Sequence, residues 1–213
     1  FANILRSYRG TWDSFFHRMT QIFPTFFNLD KMFFIRFGQD TATDLYDITS
    51  ELHLSELHNP HGVRSLEHYC RRWITIKLLS KLSSAPGSEG DVVSGFASAV
   101  GPDLDMPVIG VQKVRFFQSE NEYICFTMAK RELHAPMSKT SLTVGLLITP
   151  LLKEKILFID DPNIPFSEVS ITCERCGIED CEVRAAPPTL YENELKLRSI
   201  NQSIEDLIQD NSN

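Results

Sequence analysis

The sequence lacks most of the features that announce a function at once. It has no uninterrupted run of 18 or more apolar residues, so no helix able to cross a bilayer is expected. Residues 1–23 carry charges throughout, which argues against a secretory leader in that stretch. Basic residues are in the minority: 21 Lys and Arg against 28 Asp and Glu give a formal charge of −7. The basic stripe of a nucleic-acid binder is therefore missing, and any DNA contact is expected from a part of the protein outside this stretch. There is no glycine-rich phosphate loop and no Gly-x-Ser-x-Gly elbow, and nothing assembles a nucleophile, a base and an oxyanion hole. The expectation is a chain that is not an enzyme. It starts at Phe1 rather than a Met, already inside a helical pattern, and is expected to be a piece of a longer protein.

What is present suits a globular chain. An apolar fraction of 42% and a charged fraction of 23% are ordinary, and 213 residues suffice for one large domain or a domain with a small appendage. No internal repeat is visible. The five cysteines are an odd number in a chain too large to need disulfides, and three of them crowd into nine residues. That usage points to a cytoplasmic protein with one inorganic site.

Residues 1–23 place Ile4, Leu5, Tyr8, Trp12, Phe15, Phe16, Met19, Ile22 and Phe23 at helical spacing, and Pro24 is expected to stop that helix. Met32 to Phe37 form a bulky run that predicts a buried strand, with residues 44–54 as its hairpin partner. Residues 65–83 predict a helix, although Ile74 to Leu78 also alternates like a strand. Asn59 to Gly62 is a turn, residues 85–91 are a loop, and residues 92–106 fit no single pattern. Val108–Phe117 and Tyr123–Lys130 predict a hairpin around residues 118–121, followed by strands at Leu142–Thr149 and Ile156–Ile159. The fold class is α+β: an antiparallel sheet with helices on one face. The sensory part is expected over residues 1–165. A cysteine-rich module with a last helix is expected over 166–213, its helix opened by a Thr189-to-Glu192 capping box. That helix carries an apolar stripe of Leu197, Ile200, Ile204, Leu207 and Ile208, spaced for packing on the domain or on a second copy.

The segment with most chemistry is Cys173-Glu174-Arg175-Cys176-Gly177-Ile178-Glu179-Asp180-Cys181. A Cys-x-x-Cys turn aims two sulfurs at one point, Gly177 permits the reversal that follows, and a third thiolate closes on the same ion or cluster. Arg175 is expected to help keep the thiolates deprotonated. Zinc and a four-iron cluster both use four positions, so a fourth ligand must come from elsewhere or be absent. Cys70, His68, Cys125, Glu179 and Asp180 are the candidates, with Cys70 preferred. For Cys70 and Cys125, plain burial in the core is the competing reading. A redox Cys-x-x-Cys fits poorly, since no βαβ unit surrounds the motif.

The pattern Cys173-x2-Cys176-x4-Cys181-x2-Arg184-Ala185-x-Pro187-Pro188, with Asp180 before the last cysteine, resembles the C-terminal signature of the short-chain fatty acyl-CoA regulators. These are helix-turn-helix transcription factors of the XRE type. Phe33 to Arg36, His68 to Arg71, the Lys113–Lys130 hairpin and Leu142–Asp161 follow in the order that family implies. The resemblance implies a GAF-like domain that senses a coenzyme A ester to control transcription, and an iron–sulfur cluster at the cysteines. Zinc remains the alternative there. A coenzyme A ester needs cations for its phosphates and an apolar slot for its acyl chain. Arg71 with Arg72 and Lys130 with Arg131 are the best basic pairs, and solvated surface charge is the competing reading for both. Such a regulator is expected to act as a homodimer. Two other readings stay open: a structural zinc module on a protein-interaction domain without a small-molecule ligand, and a redox-sensing iron–sulfur module.

The remaining constellations are weaker. His53, His58 and His61 lack the spacing of a metalloprotease helix, and Asp160 to Asn163 reads as a turn rather than a cation loop. The 15 phenylalanines are densest over residues 1–37, where core packing explains them as well as an acyl pocket or a dimer interface does.

Overall fold

The computed structural model describes Ser7 and residues 10–39, 45–54, 66–82, 107–132 and 139–210. Helix α1 spans Trp12–Phe27. It begins at Thr11, whose side chain accepts from the Ser14 N–H while Ser14 answers toward the Thr11 backbone, a reciprocal cap. Pro24 lies inside this helix and does not stop it. A proline lacks the N–H and crowds the carbonyl four residues back, a local cost, and here the helix has just one turn left to run. It ends at Asn28 in the left-handed conformation (φ 57°), whose N–H bonds back to the carbonyls of Phe23 and Pro24.

Strands β1 (Met32–Gln39) and β2 (Tyr46–His53) form the expected antiparallel hairpin, with a register shift between Arg36 and Phe37. Helix α2 is Ile74–Lys81. The helix expected over 65–83 therefore forms only in its second half. Residues 66–73 are extended or turned, and Tyr69 bridges to Thr172. Strands β3 (Val108–Phe116) and β4 (Glu122–Arg131) are the second hairpin, and β5 (Lys139–Leu147) completes the antiparallel set. The strand expected at Ile156–Ile159 is instead a turn. Thr149 caps a short helix α3 (Pro150–Lys155) by accepting from the Leu152 N–H, and Pro150 suits its first position. Strand β6 is Phe166–Val169, and α4 is Thr189–Asp210. The first α4 bond runs from the Glu192 N–H to the Pro188 carbonyl, so the helix starts one residue earlier than a Thr189 cap requires.

The sheet order is β2-β1-β5-β4-β3-β6, antiparallel except where β6 joins β3 in parallel. Phe166–Val169, grouped with the cysteine module on sequence, is thus the edge of the main sheet. The sheet is covered on both faces, not one. Phe33, Phe37, Tyr69, Trp73, Phe116 and Tyr123 pack with α2 on one side. Phe16, Met19, Phe34, Met128, Leu142 and Leu152 pack with α1 and α3 on the other. Near-continuous burial along β1, β4 and β5 is what two-sided cover demands, and it explains the unbroken Met32-Phe-Phe-Ile run. Aromatic rings tie the first face together edge to face, with Phe33 against Tyr123 at 5.4 Å and Phe37 against Tyr69 at 4.8 Å between centroids.

Candidate functional site

Between β6 and α4 the chain carries the three clustered cysteines and is stitched to the lead-in of α2. The Cys70 N–H donates to the Ile171 carbonyl (3.1 Å) and the Cys173 N–H to the His68 carbonyl (2.8 Å), one on either side of the Tyr69–Thr172 bridge. Cys70, the preferred fourth ligand, therefore sits within electrostatic reach of Cys173 and Cys176. All three are buried, and Cys181 is partly exposed. Burial pushes the Cys70 thiol up to about 11, the neighbouring sulfurs adding in the same direction. A cation placed here would have to offset that desolvation to hold Cys70 as a thiolate.

The turn itself is held by backbone contacts. The Cys176 N–H donates to the Cys173 carbonyl (3.2 Å), and the Ala185 N–H donates to the Cys173 sulfur (3.4 Å). The guanidinium of Arg184 donates to the carbonyls of Cys173 (3.2 Å), Cys176 (3.3 Å) and Ile178. Arg175, expected near the thiolates, turns the other way. Its Nε and NH2 form a fork on Glu67, at 2.7 and 2.8 Å. Glu67 is buried and also accepts from the Thr172 hydroxyl (2.8 Å), and this carboxylate holds the guanidinium above its usual range. Glu174 accepts from the backbone N–H of His68 (3.0 Å) and faces its Nδ1 at 2.8 Å. One ring nitrogen of His68 is thus engaged before any metal is considered.

Among the described residues, no three His, Cys, Asp or Glu side chains converge as a bound ion would require. Thiols are the ligand type that soft metals and iron–sulfur clusters take, and three lie on this short segment with Cys70 within electrostatic reach of two of them. Cys125 lies apart from the segment in sequence, in mid-β4, buried with its thiol pushed up to about 12.

The proposed cation pairs fall at opposite ends of α2. Arg72 precedes the helix, its carbonyl accepting from the Gln112 amide (3.2 Å). Arg131 donates to the Leu82 carbonyl beyond the other end (2.8 Å), about 12 Å away along eight residues of helix. The structure does not bring the two pairs together. Lys130 is held by Asp13 (2.6 Å) and Glu132 (3.1 Å), with Arg36 on Glu132 at 3.5 Å. Burial opposes the charge on Lys130, but those two carboxylates outweigh it and raise its pKa. His53 pairs with Glu51 at 3.5 Å, while His58, His61 and the loop at 85–91 lie outside the described residues.

A groove of about 550 Å³ borders the cysteine segment, lined by Phe117, Ile171, Arg175, Leu190, Tyr191 and Leu197 among others. The N–H groups of Leu190 and Tyr191 both donate to the Glu174 carbonyl (3.0 Å), docking the first turn of α4 on the segment. Gly177 is needed there: a Cβ would lie 2.4 Å from the Tyr191 ring and 2.7 Å from Phe117.

The structure is thus a mixed α+β domain with a cysteine segment bonded into it. Neither a family model nor a curated protein matches the chain. Among solved structures it is similar to a Mycobacterium tuberculosis transcriptional regulator, with a TM-score of 0.53 at 14% identity over 87% of this chain and 48% of that one. This chain spans about half of that regulator's length, and at this identity the likeness is one of fold. No helix among the described residues is long and apolar enough to cross a membrane.

Proposed function

We propose that this chain is the ligand-sensing regulatory domain of a transcriptional regulator. It is GAF-like, cytoplasmic and without catalysis of its own, and answers to an acyl-CoA or related metabolite. Cys173, Cys176 and Cys181, with Cys70, hold an iron–sulfur cluster or zinc. The observation that carries this reading is the stitching of the cysteine segment into the sheet domain. The main-chain bonds of Cys70 and Cys173, the buried Glu67 carboxylate and the docked first turn of α4 all meet there. A change at the thiolates must therefore be felt by β6, α2 and α4. The likeness to a regulator supports the class, and the cysteine signature supports the effector.

The groove beside Phe117 and Tyr191 has the size of a small-molecule site and an apolar wall for an acyl chain. Arg71 and Arg72, just before α2, are the cations proposed for its phosphates. Lys130 and Arg131 would have to leave existing partners to serve. An effector acts by binding one of two arrangements more tightly, and DNA is reached through a part of the protein beyond this chain.

The test is anaerobic purification with a visible spectrum, an iron, sulfide and zinc assay, and melting curves with a panel of acyl-CoAs. Iron with acid-labile sulfide, lost in Cys173→Ser, together with a rise in Tm for at least one acyl-CoA over free coenzyme A, is expected. One zinc per chain and no shift with any acyl-CoA would leave a structural module. Unchanged metal content in Cys173→Ser would remove the site altogether.

A further inference from the structure

Two arginines accompany the cysteine turn, and they are used differently. Arg175 is committed to the Glu67 carboxylate. Arg184 pairs with no carboxylate among the described residues, and its guanidinium holds the carbonyls of Cys173, Cys176 and Ile178 instead. A guanidinium carries its N–H donors in one rigid plane, so a single side chain can fix several carbonyls at once. That grip decides which way the dipoles of the turn point. A trans peptide directs its C=O and the next N–H to opposite sides, and no cis peptide occurs among the described residues. With those three carbonyls drawn to Arg184, the N–H groups of Glu174, Gly177 and Glu179 point away from it. None of the three donates to a protein acceptor among the described residues. The next residue along, Ala185, already donates its N–H to the Cys173 sulfur. Backbone N–H groups left free in a turn are a seat for electron-rich atoms.

We propose that Arg184 is the positioning residue of the cysteine site, setting how tightly the thiolates hold a metal by fixing the peptide planes that carry them. It acts through the main chain of Cys173, Cys176 and Ile178. Two effects work in the same direction. The fixed planes keep N–H groups available to thiolate or sulfide, and a cation unmatched by a carboxylate offsets the net negative charge of a divalent ion on several thiolates. The inference rests on the reading that the cysteines hold a metal or cluster, and adds the residue that tunes it. The attachments of the segment to the domain, the Tyr69–Thr172 bridge and the bonds to Glu67, do not involve Arg184. Its loss therefore loosens the turn without freeing the segment from the sheet.

Cobalt(II) titration of the full metal-stripped chain tests it, read by the sulfur-to-cobalt charge-transfer band and by competition with a chelator. The wild-type chain is expected to show the band, and Cys173→Ser to lose it. Arg184→Gln is expected to weaken cobalt binding by about 10–100-fold, the usual effect of removing a group that orients metal ligands. Arg184→Lys restores the charge without the planar fork and is expected to fall between the two. Leu142→Ala, a cavity on the face of the sheet away from α2, lowers stability and is expected to leave cobalt affinity unchanged. That contrast separates positioning from mere destabilisation, and near-ultraviolet circular dichroism confirms that each variant is folded. Wild-type affinity in either folded Arg184 variant, or an equal loss in Leu142→Ala, overturns the proposal. A wild-type chain without the band overturns the metal reading and the proposal with it, a failure visible before any Arg184 variant is compared.

Discussion

Glu67 and the thiols show how far a side chain's chemistry depends on what faces it. Glu67 is buried, and its carboxylate is satisfied by a guanidinium fork from Arg175 and the hydroxyl of Thr172, both more than 100 residues further along the chain. Removing the fork takes the charged partner from a buried carboxylate that keeps the Thr172 hydroxyl. Arg175→Ala is therefore expected to cost about 1–3 kcal/mol, kept from the upper end because the guanidinium itself is half exposed. In a chain of this size that is a fall in Tm of roughly 3–9 °C, read by a thermal melt. Arg175→Lys restores charge without the fork and should recover only part of the loss. The thiols sort in the same way. In metal-stripped protein at pH 8, a thiol-specific reagent is expected to label partly exposed Cys181 first. Cys70 and Cys125, buried and raised to about 11 and 12, should react only after unfolding. Prompt native labelling of Cys125 would show that the face of the sheet carrying Trp73 opens far more often than its packing implies.

At the level of elements, strand β5 places Gly145 between Phe33 of β1 and Cys125 of β4. A Cβ there would come within 2.3 Å of two Phe33 ring atoms, and that ring is itself wedged against Trp73, Phe116 and Tyr123. Gly145→Ala is expected to destabilise by at least about 1–3 kcal/mol through overpacking. A urea melt with unchanged slope checks it. The first hairpin was legible from the bulky run Met32 to Phe37, and the second because residues 118–121 hold turn-forming Ser and Asn between two apolar runs. Helix α2 was only half legible: Ile74, Thr75 and Ile76 are β-branched, and burial against the sheet, not propensity, decides their state. The Thr149-Pro150 pair signalled a helix start, which makes the turn after it intelligible in retrospect. In the site, the three cysteines are legible because they are local. Glu67 is not, since nothing in a lone acidic residue reveals a partner 108 residues away. Arg184 and Arg175 could not be told apart by spacing; only the fold assigns one to the cysteine carbonyls and the other to the carboxylate.

For the molecule as a whole, one sheet carries two covered faces, and the α2 face stores an asymmetry in proton affinity. Cys70, Cys125 and Tyr123 all lie in that core, and burial raises them from 9.0, 9.0 and 10.0 to about 11, 12 and 12. Each is an acid whose neutral form the folded state prefers, while the unfolded chain ionises at the ordinary value. Between the two values the unfolded state binds fewer protons, so stability falls as pH rises. Stability is therefore expected to be insensitive to these groups below about pH 8 and to drop above it, by about 1.4 kcal/mol per pH unit for each group once its unfolded form ionises. Lys130 adds loss in the same direction, because its raised pKa is a stabilisation that vanishes as the ammonium deprotonates. Lys77 works oppositely: burial lowers it, so its folded form sheds its proton first, and deprotonation relieves a penalty. With four groups against one, alkaline loss dominates. Urea melts of metal-stripped protein at pH 8, 9 and 10 measure it. Cys125→Ala lowers stability at every pH by its lost packing, yet should make the fall from pH 9 to 10 shallower by close to one group's share. An unchanged slope in that variant would mean that Cys125 ionises in the folded chain as readily as in the unfolded one, and that the core around Trp73 admits water.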